Sequence, residues 1–131
     1  MKRLAIDVQP GEYVVARLAP QAPVPAGLLD AGHSFVSVTR TSGELSIICP
    51  VALAPEAAKI EAGWRLLTVR GPLEFTLTGI IAALANELAA AGVALFTLST
   101  FDTDHVLVKQ ADLTRAEAAL RAAGHEVGQP T

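Results

Sequence analysis

The hydrophobic pattern of this chain changes its period in a fixed order from Trp64 onward, and that order constrains the fold more than any other feature. Apolar side chains recur at helical spacing in two segments, residues 78–91 and 112–123, each followed by a glycine suited to ending a helix. Strand-like apolar runs precede, separate and follow these segments at residues 64–69, 93–98, 105–108 and 125–127. The order strand, helix, strand, strand, helix, strand predicts a ferredoxin-like βαββαβ unit of the α+β class.

The first half of the chain has a weaker version of the same order. Strand-like runs occur at residues 4–8, 13–18, 35–40 and 44–49. The proline-rich residues 19–25 leave room for only a helical turn, at residues 26–29. A connector follows the last of these strands, with a helical turn expected at residues 56–60. We therefore expect two tandem units, residues 1–61 and 62–131, which share strands or pack side by side.

Composition and charge indicate a globular chain that does not bind nucleic acid. Hydrophobic residues make up 51% of the 131-residue sequence, which is enough for a buried core without disulfide bonds. The 10 Lys and Arg residues are outnumbered by 13 Asp and Glu residues and form no basic run, so the positive patch of a nucleic-acid binder is missing. The single cysteine, Cys49, cannot form an internal disulfide, and this fits a reducing cytoplasm.

No segment is predicted to enter a membrane. Residues 79–98 are about as long as a membrane span, but Asn86 and Glu87 lie in the middle of the segment and Gly92 interrupts it. A helix that runs into a buried strand explains these residues better. Near the N-terminus, Asp7 breaks the apolar stretch before a signal-peptide core could form.

The sequence contains no recognisable catalytic or metal-binding motif. It has no nucleophile elbow, P-loop or dinucleotide fingerprint, and its three histidines lie on separate segments without paired ligand spacing. Residues 102–104 lack the glycine and glutamate that complete a calcium loop. We therefore predict no catalytic residue, no metal and no cofactor. A pair formed by Asp104 and His105 could act in acid–base chemistry, so a small lyase or isomerase stays as an alternative.

Several strings of the sequence resemble one family of ligand-binding domains. Residues 64–67 (Trp-Arg-Leu-Leu), residues 75–81 and, most specifically, residues 98–108 (Leu-Ser-Thr-Phe-Asp-Thr-Asp-His-Val-Leu-Val) resemble the ACT domains of the CASTOR-like family, including its small bacterial two-domain members. Residues 35–40 are similar to the hairpin of that family's N-terminal half. The resemblance implies tandem ACT domains that bind amino acids or related small molecules at domain interfaces. It also implies eukaryotic relatives that act as arginine sensors and engage protein partners.

The chain departs from this family at points that bear on the ligand. His105 stands where an aromatic residue is common, and Gly71-Pro72 truncates the preceding strand. The chain has one pair of ACT units where the eukaryotic sensors have two pairs, so arginine specificity does not carry over. A site that needs two pairs would have to be built by homodimerisation. Short sheets with open edges also favour a homodimer.

The residues predicted to bind the ligand form two groups. At the expected start of the first helix, free backbone N–H groups and the positive end of the helix dipole suit a carboxylate. After the second strand, hydroxyl and carboxylate side chains suit an ammonium group. The predicted site residues are Thr76, Thr78, Gly79, Ser99, Thr100, Phe101, Asp102 and Asp104.

Each of these residues also has an ordinary structural interpretation. Thr78 could cap the helix, the two aspartates could satisfy turn backbone groups, and Phe101 could fill the core instead of walling a pocket. Taken together, the sequence predicts a cytoplasmic, homodimeric regulatory module that binds an amino acid or a related small molecule between ACT units and is not an enzyme. The main alternative is a ligand-free module for protein interaction or dimerisation.

Overall fold

Strands and helices follow one another in the order that the sequence predicts. The computed structural model describes residues 3–30, 32, 34–56, 59–73 and 78–130. Its elements are β1 (Ala5–Val8), β2 (Tyr13–Leu18), β3 (Ser37–Arg40), β4 (Leu45–Pro50), β5 (Lys59–Val69), α1 (Ile80–Ala90), β6 (Leu95–Ser99), β7 (Asp104–Lys109), α2 (Leu113–Ala122) and β8 (Glu126–Gly128). Short 3-10 helices lie at Leu28–Asp30, Val51–Leu53 and Gln110–Asp112. The mixture of sheet and helix confirms the predicted α+β class.

The larger of two units comprises Met1–Pro10 and Arg65–Thr131. Its strands, with the part of β5 from Arg65 onward, lie in the order β6-β7-β5-β1-β8. β1 is antiparallel to β5, with Ile6 opposite Val69, and parallel to β8, with Ile6 opposite Val127. The chain order β5, α1, β6, β7, α2, β8 is therefore the ferredoxin-like one, with β1 inserted between the first and the last strand.

Both α-helices of the larger unit bury one apolar face against the sheet. Leu84 and Leu88 lie one turn apart in α1 and are 2% and 0% exposed, and Leu120 of α2 is 1% exposed. They share a core with the strand residues Ile6, Val8, Leu67, Val69, Val106 and Val108. Burying a leucine side chain contributes about 2 kcal/mol, so these contacts fix the position of α1 against β5 and β7.

The smaller unit, Gly11–Trp64, has the same element order with 3-10 helices in place of α-helices. Its strands lie in the order β3-β4-β2-β5, which is the strand order of a ferredoxin-like sheet. The prolines of residues 19–25 prevent a longer helix. The Arg40 guanidinium donates hydrogen bonds to the carbonyl oxygens of Pro20 and Ala22 and so holds this segment in place. The weak first-half pattern thus corresponds to a second ferredoxin-like unit.

Two predicted segments differ from the structure. The helical turn expected at residues 56–60 is wrong at Lys59 and Ile60, which lie in β5 because Ile60 pairs with Ala16 of β2. The apolar residues 79–98 form α1 and β6, as a helix followed by a strand, but β6 is a half-exposed edge strand and not a buried one. Among the strands that the structure describes, β7 alone pairs with it. Among the described residues, no helix is long and apolar enough to span a membrane.

The two compact units of the structure do not follow the boundary at residue 61 that the sequence predicts, because the first ten residues belong to the C-terminal unit. β1 lies in the unit of Arg65–Thr131, because both strands with which it pairs, β5 and β8, contribute to that unit. A boundary drawn from the order of elements along the chain assigns β1 to the first half. The long-range pairing of β1 leaves no local pattern in the sequence.

Candidate functional site

A cavity of about 320 Å³ lies in the larger unit, between the start of α1 and the turn that joins β6 to β7. Its wall combines residues of the helix start with hydroxyl- and carboxylate-bearing residues of the turn. The lining residues are Leu73, Gly79, Ile80, Ile81, Ala82, Ser99, Thr100, Phe101, Asp102, Thr103 and Asp104.

The start of α1 presents hydrogen-bond donors to this cavity. Gly79 precedes the helix with φ of 81°, a left-handed conformation that favours glycine, and no side chain caps the helix there. The amide of Ala83 makes the first intrahelical bond, to the Gly79 carbonyl oxygen at 2.9 Å. The N–H groups of Ile80, Ile81 and Ala82 therefore have no acceptor within the helix. They lie at the positive end of the helix dipole, where an anionic group is stabilised.

The turn between β6 and β7 presents acceptors. The Ser99 hydroxyl donates to Asp104 Oδ1 at 2.5 Å, and the Thr100 hydroxyl donates to the Thr103 carbonyl oxygen at 3.2 Å. Because each hydroxyl has a single proton, both oxygens can only accept a further hydrogen bond. The carboxylates of Asp102 and Asp104 are acceptors as well. Among the described lining residues there is no Lys, Arg or His, so this side of the cavity suits a cationic group.

Residues that follow β5 hold the turn in place. The Leu73 amide donates to the Asp102 carbonyl oxygen at 2.6 Å, and the Thr103 hydroxyl donates to the Val69 carbonyl oxygen at 2.5 Å. A Cβ atom on Gly71 would come within 2.9 Å of the Asp102 carbonyl oxygen, closer than real Cβ contacts allow. Gly71 is thus required for the close approach of the two segments, a role that the sequence analysis did not foresee.

His105 lies directly behind the Thr100 side chain. It is 7% exposed, its Nδ1 is 3.1 Å from Thr68 Oγ1, and its Nε2 is 3.2 Å from Thr100 Oγ1. Burial lowers the pKa of the His105 imidazole below 6.5, although the Asp104 carboxylate acts in the opposite direction. From the sequence, His105 was noted as a departure from the family pattern and as the partner of Asp104 in a possible acid–base pair, but not as a neighbour of Thr100. Its contact with a cavity residue gives it a place in the site.

The structure brings most of the predicted site residues together. Six of them line the cavity: Gly79, Ser99, Thr100, Phe101, Asp102 and Asp104. Thr78 lies next to Gly79 but is not part of the lining, and its alternative interpretation as the helix cap is wrong because Gly79 occupies that position. Thr76 lies outside the described residues. That these side chains bind a ligand stays a prediction.

The cavity wall also contains residues that the sequence analysis did not select. Ile80, Ile81 and Ala82 belong to the wall because they form the first turn of α1. The helix predicted from residue 78 places them deeper inside it. Leu73 reaches the wall because its amide binds the turn. In the described part of the chain, no group of three or more His, Cys, Asp or Glu residues could hold a metal ion.

Comparisons with known proteins agree with this architecture. A family model described as an ACT domain matches residues 59–122, and a model of an N-terminal domain matches residues 11–56. The human cytosolic arginine sensor for mTORC1 subunit 1 is 44% identical over 48 residues, which are 36% of this chain and only 15% of the sensor. The chain therefore corresponds to a small part of the curated relatives that it matches.

Solved structures extend the similarity over the whole chain. A crystal structure of a protein from Agobacterium tumefaciens has 35% sequence identity and a TM-score of 0.89, and the match covers 100% of this chain and 97% of the other. The regulatory subunit of aspartate kinase from Thermus thermophilus, in its ligand-free form, has 11% identity and a TM-score of 0.60. That match covers 94% of this chain and 97% of the other, and it is a likeness of fold.

Proposed function

Because this chain belongs to the ACT-domain family, in its CASTOR-like branch, we propose that it is a regulatory module that binds an amino acid or a similar small zwitterion and is not an enzyme. One observation carries the proposal. The cavity of the larger unit is lined by the start of α1, whose first N–H groups have no acceptor within the helix, and by hydroxyl and carboxylate acceptors of the β6–β7 turn. This distribution complements a molecule with a carboxylate and an ammonium group.

The two ends of such a ligand have distinct partners. The carboxylate is placed at the N–H groups of Ile80, Ile81 and Ala82, where the helix dipole adds to the hydrogen bonds. The ammonium group is placed among the acceptors of the turn, with Asp104, the less exposed of the two aspartates, as its charged partner. Phe101 is 77% exposed at the rim, where its ring can cover the ligand's side chain. The volume of about 320 Å³ suits a small ligand.

The names of similar proteins support the ligand class. One relative is an arginine sensor, and a structural neighbour is the regulatory subunit of an amino-acid kinase. The match to the sensor is short, so we do not extend arginine specificity to this chain. We propose that the ligand lies at an interface between ACT-like units, with a second copy of the chain completing the open side of the cavity. A cytoplasmic location is part of the same proposal and accords with the sensor's cytosolic name and with the free, buried Cys49.

The acid–base alternative has less support. Both ring nitrogens of His105 lie within hydrogen-bond distance of threonine hydroxyls, and the ring is not part of the cavity lining. The Asp104 carboxylate accepts a hydrogen bond from Ser99. A general base must reach the proton that it removes, and this imidazole does not line the cavity.

A ligand-free dimerisation module is the second candidate. It is favoured by β6, an edge strand whose Phe96 is 38% exposed. The two candidates differ in one respect that can be measured, because only the first requires a cavity that is occupied.

A thermal-shift screen of the proteinogenic amino acids, each at millimolar concentration, tests the proposal. A ligand that binds only the folded state raises the melting temperature by an amount that grows with the ratio of its concentration to Kd. We expect at least one amino acid to raise it, and we expect the matching amine and the matching carboxylic acid alone to have little effect, because each occupies one end of the site. Absence of stabilisation by every amino acid would overturn the proposal and favour the dimerisation module.

A further inference from the structure

We propose that Asp102 is a specificity-determining residue of this site, whose carboxylate makes the cavity disfavour amino acids with acidic side chains. The inference deepens the proposed function and rests on it. Asp102 lines the cavity beside the exposed Phe101 ring, at the tip of the turn between β6 and β7. Because the residue is exposed, it acts on a ligand through its charge and not through a buried hydrogen bond.

The turn does not use the Asp102 carboxylate for its own structure. Its backbone is closed by the Thr100 amide, which donates to the Thr103 carbonyl oxygen at 2.8 Å. Asp102 contributes its carbonyl oxygen, which accepts from the Leu73 amide. Among the described residues, no hydrogen bond or ion pair reaches its carboxylate. An aspartate that orders a turn accepts a backbone N–H nearby, so this structural role has no contact to support it at Asp102.

The charges of the cavity leave the Asp102 carboxylate without a counter-charge. Asp104 is less exposed, accepts the Ser99 hydroxyl at 2.5 Å and is the proposed partner of the ligand's ammonium group. The two aspartates are the only charged side chains among the described lining residues. One ammonium group neutralises one carboxylate. The second carboxylate, that of Asp102, therefore lies beside the rest of the ligand.

An uncompensated carboxylate discriminates between ligands by the charge of their side chains. It repels a side chain of the same sign, leaves a neutral one almost unaffected and attracts a cationic one. Exposed charges interact weakly in water, so we expect discrimination of about fivefold in Kd and not complete exclusion. The ligand class is thereby narrowed to amino acids with a neutral or a cationic side chain.

The first test is a thermal-shift comparison of two pairs of amino acids that have nearly equal shapes, glutamine with glutamate and asparagine with aspartate. In the parent protein we expect the amide of each pair to raise the melting temperature more than the acid does. The difference should shrink in Asp102→Asn and reverse in Asp102→Lys, which gains stabilisation by the acids. Asp30→Lys, in the exposed 3-10 helix Leu28–Asp30, makes the same change of charge and should behave as the parent does.

The second test measures the same pairs at two salt concentrations. The screening length falls from about 10 Å at 0.1 M salt to about 3 Å at 1 M, and an exposed charge is screened accordingly. We expect the difference between amide and acid in the parent protein to decrease at 1 M NaCl. A difference that persists at 1 M NaCl and in Asp102→Asn would assign the selectivity to the shape of the cavity and overturn the inference.

The outcomes separate this inference from the proposed function. Stabilisation of the parent protein mainly by glutamate or aspartate would overturn the role of Asp102 and leave amino-acid binding intact. The same order of ligands in the parent and in Asp102→Lys would do so too. Urea unfolding verifies that the variants are folded, and Asp102→Asn should have the midpoint of the parent because the turn does not use this side chain. If no amino acid stabilises the parent protein, the proposed function fails and the selectivity fails with it.

Discussion

At the scale of single residues, Asp104 is the side chain on which the proposed ammonium site most depends. It lines the cavity and already accepts a hydrogen bond from the Ser99 hydroxyl at 2.5 Å. We predict that Asp104→Asn weakens binding of an amino acid identified by the screen by about 2 kcal/mol, or roughly thirtyfold in Kd, because a neutral amide replaces the charged acceptor. Isothermal titration calorimetry measures the change.

Asp30→Asn is the matched control for this substitution. Asp30 is an exposed aspartate in the 3-10 helix Leu28–Asp30 of the smaller unit, and its substitution alters the net charge by the same amount. It should leave Kd unchanged. If Asp104→Asn also binds as tightly as the parent protein, the carboxylate only orders the turn and the ammonium group lies elsewhere.

The burial of His105 leads to a prediction of how the free energy of unfolding depends on pH. Burial lowers its pKa in the folded protein below the ordinary value of 6.5, so protonation favours the unfolded chain. Its contribution to stability is complete above pH 6.5 and is lost as the pH falls through the lowered pKa, with Asp104 reducing the effect. Urea unfolding between about pH 7.5 and 5 should show a smaller loss of stability in His105→Gln than in the parent. Parallel curves for the two proteins would contradict this.

The site was predictable where its residues are neighbours in the sequence. Ser99 to Asp104 form one turn, so their cluster of hydroxyls and carboxylates is visible without a structure. The contributions of Leu73 and Gly71 were not predictable, because they depend on a contact with a segment about thirty positions away. The cap at Gly79 was misassigned because a threonine precedes it, and threonine is a more common cap than glycine.

At the scale of elements, the segment after β5 and the β6–β7 turn support each other. A Cβ atom added to Gly71 would lie 2.9 Å from the Asp102 carbonyl oxygen. This oxygen belongs to the backbone and cannot rotate away as a side chain could. We predict that Gly71→Ala costs about 1–3 kcal/mol of the free energy of unfolding and also weakens ligand binding, because the turn must move. Urea denaturation and calorimetry measure the two effects.

Gly43→Ala provides the comparison for this change. A Cβ at Gly43 meets only Thr41 Oγ1 at 3.8 Å, an ordinary van der Waals contact. The free energy of unfolding should therefore change much less than in Gly71→Ala, and the Kd should not change. Equal losses in the two variants would indicate a general effect of replacing a turn glycine and would remove the argument for close approach.

The elements themselves were predicted in order but not in all their pairings. Periodicity identified α1, α2 and the strands around them, since helical spacing and strand-like runs are local properties of the sequence. The strand character of Lys59 and Ile60 was missed because it arises from pairing with β2, more than forty positions earlier. The pairing of β1 with both β5 and β8 is also long-range, since Ile6 lies opposite Val69 and Val127, and it was not predicted either.

At the scale of the whole molecule, two units of the same topology differ in how they cover their sheets. The larger unit packs α1 and α2 on its core, whereas the smaller unit uses a proline-containing loop and 3-10 helices around Leu28 and Leu53. The described cavity belongs to the unit that has full α-helices. A helix of several turns provides an N-terminus with three free N–H groups and an aligned dipole, and a single 3-10 turn does not. This difference is a physical reason for placing the ligand in the larger unit.

The larger unit also has an edge that a second copy could cover, and we propose a homodimer that forms along β6. The strand Leu95–Ser99 has no charged residue and no proline, the features that usually protect an exposed edge, and it leads directly into the cavity turn. A twofold partner along this edge would bring a second chain beside the open side of the site.

We predict a dimer mass by light scattering at micromolar concentration. Thr97→Lys, which places a charge on the exposed edge, should give a monomer, whereas Thr39→Lys on the edge strand β3 of the smaller unit should remain a dimer. A monomer mass for the parent protein at high concentration, or dissociation by Thr39→Lys alone, would contradict pairing along β6.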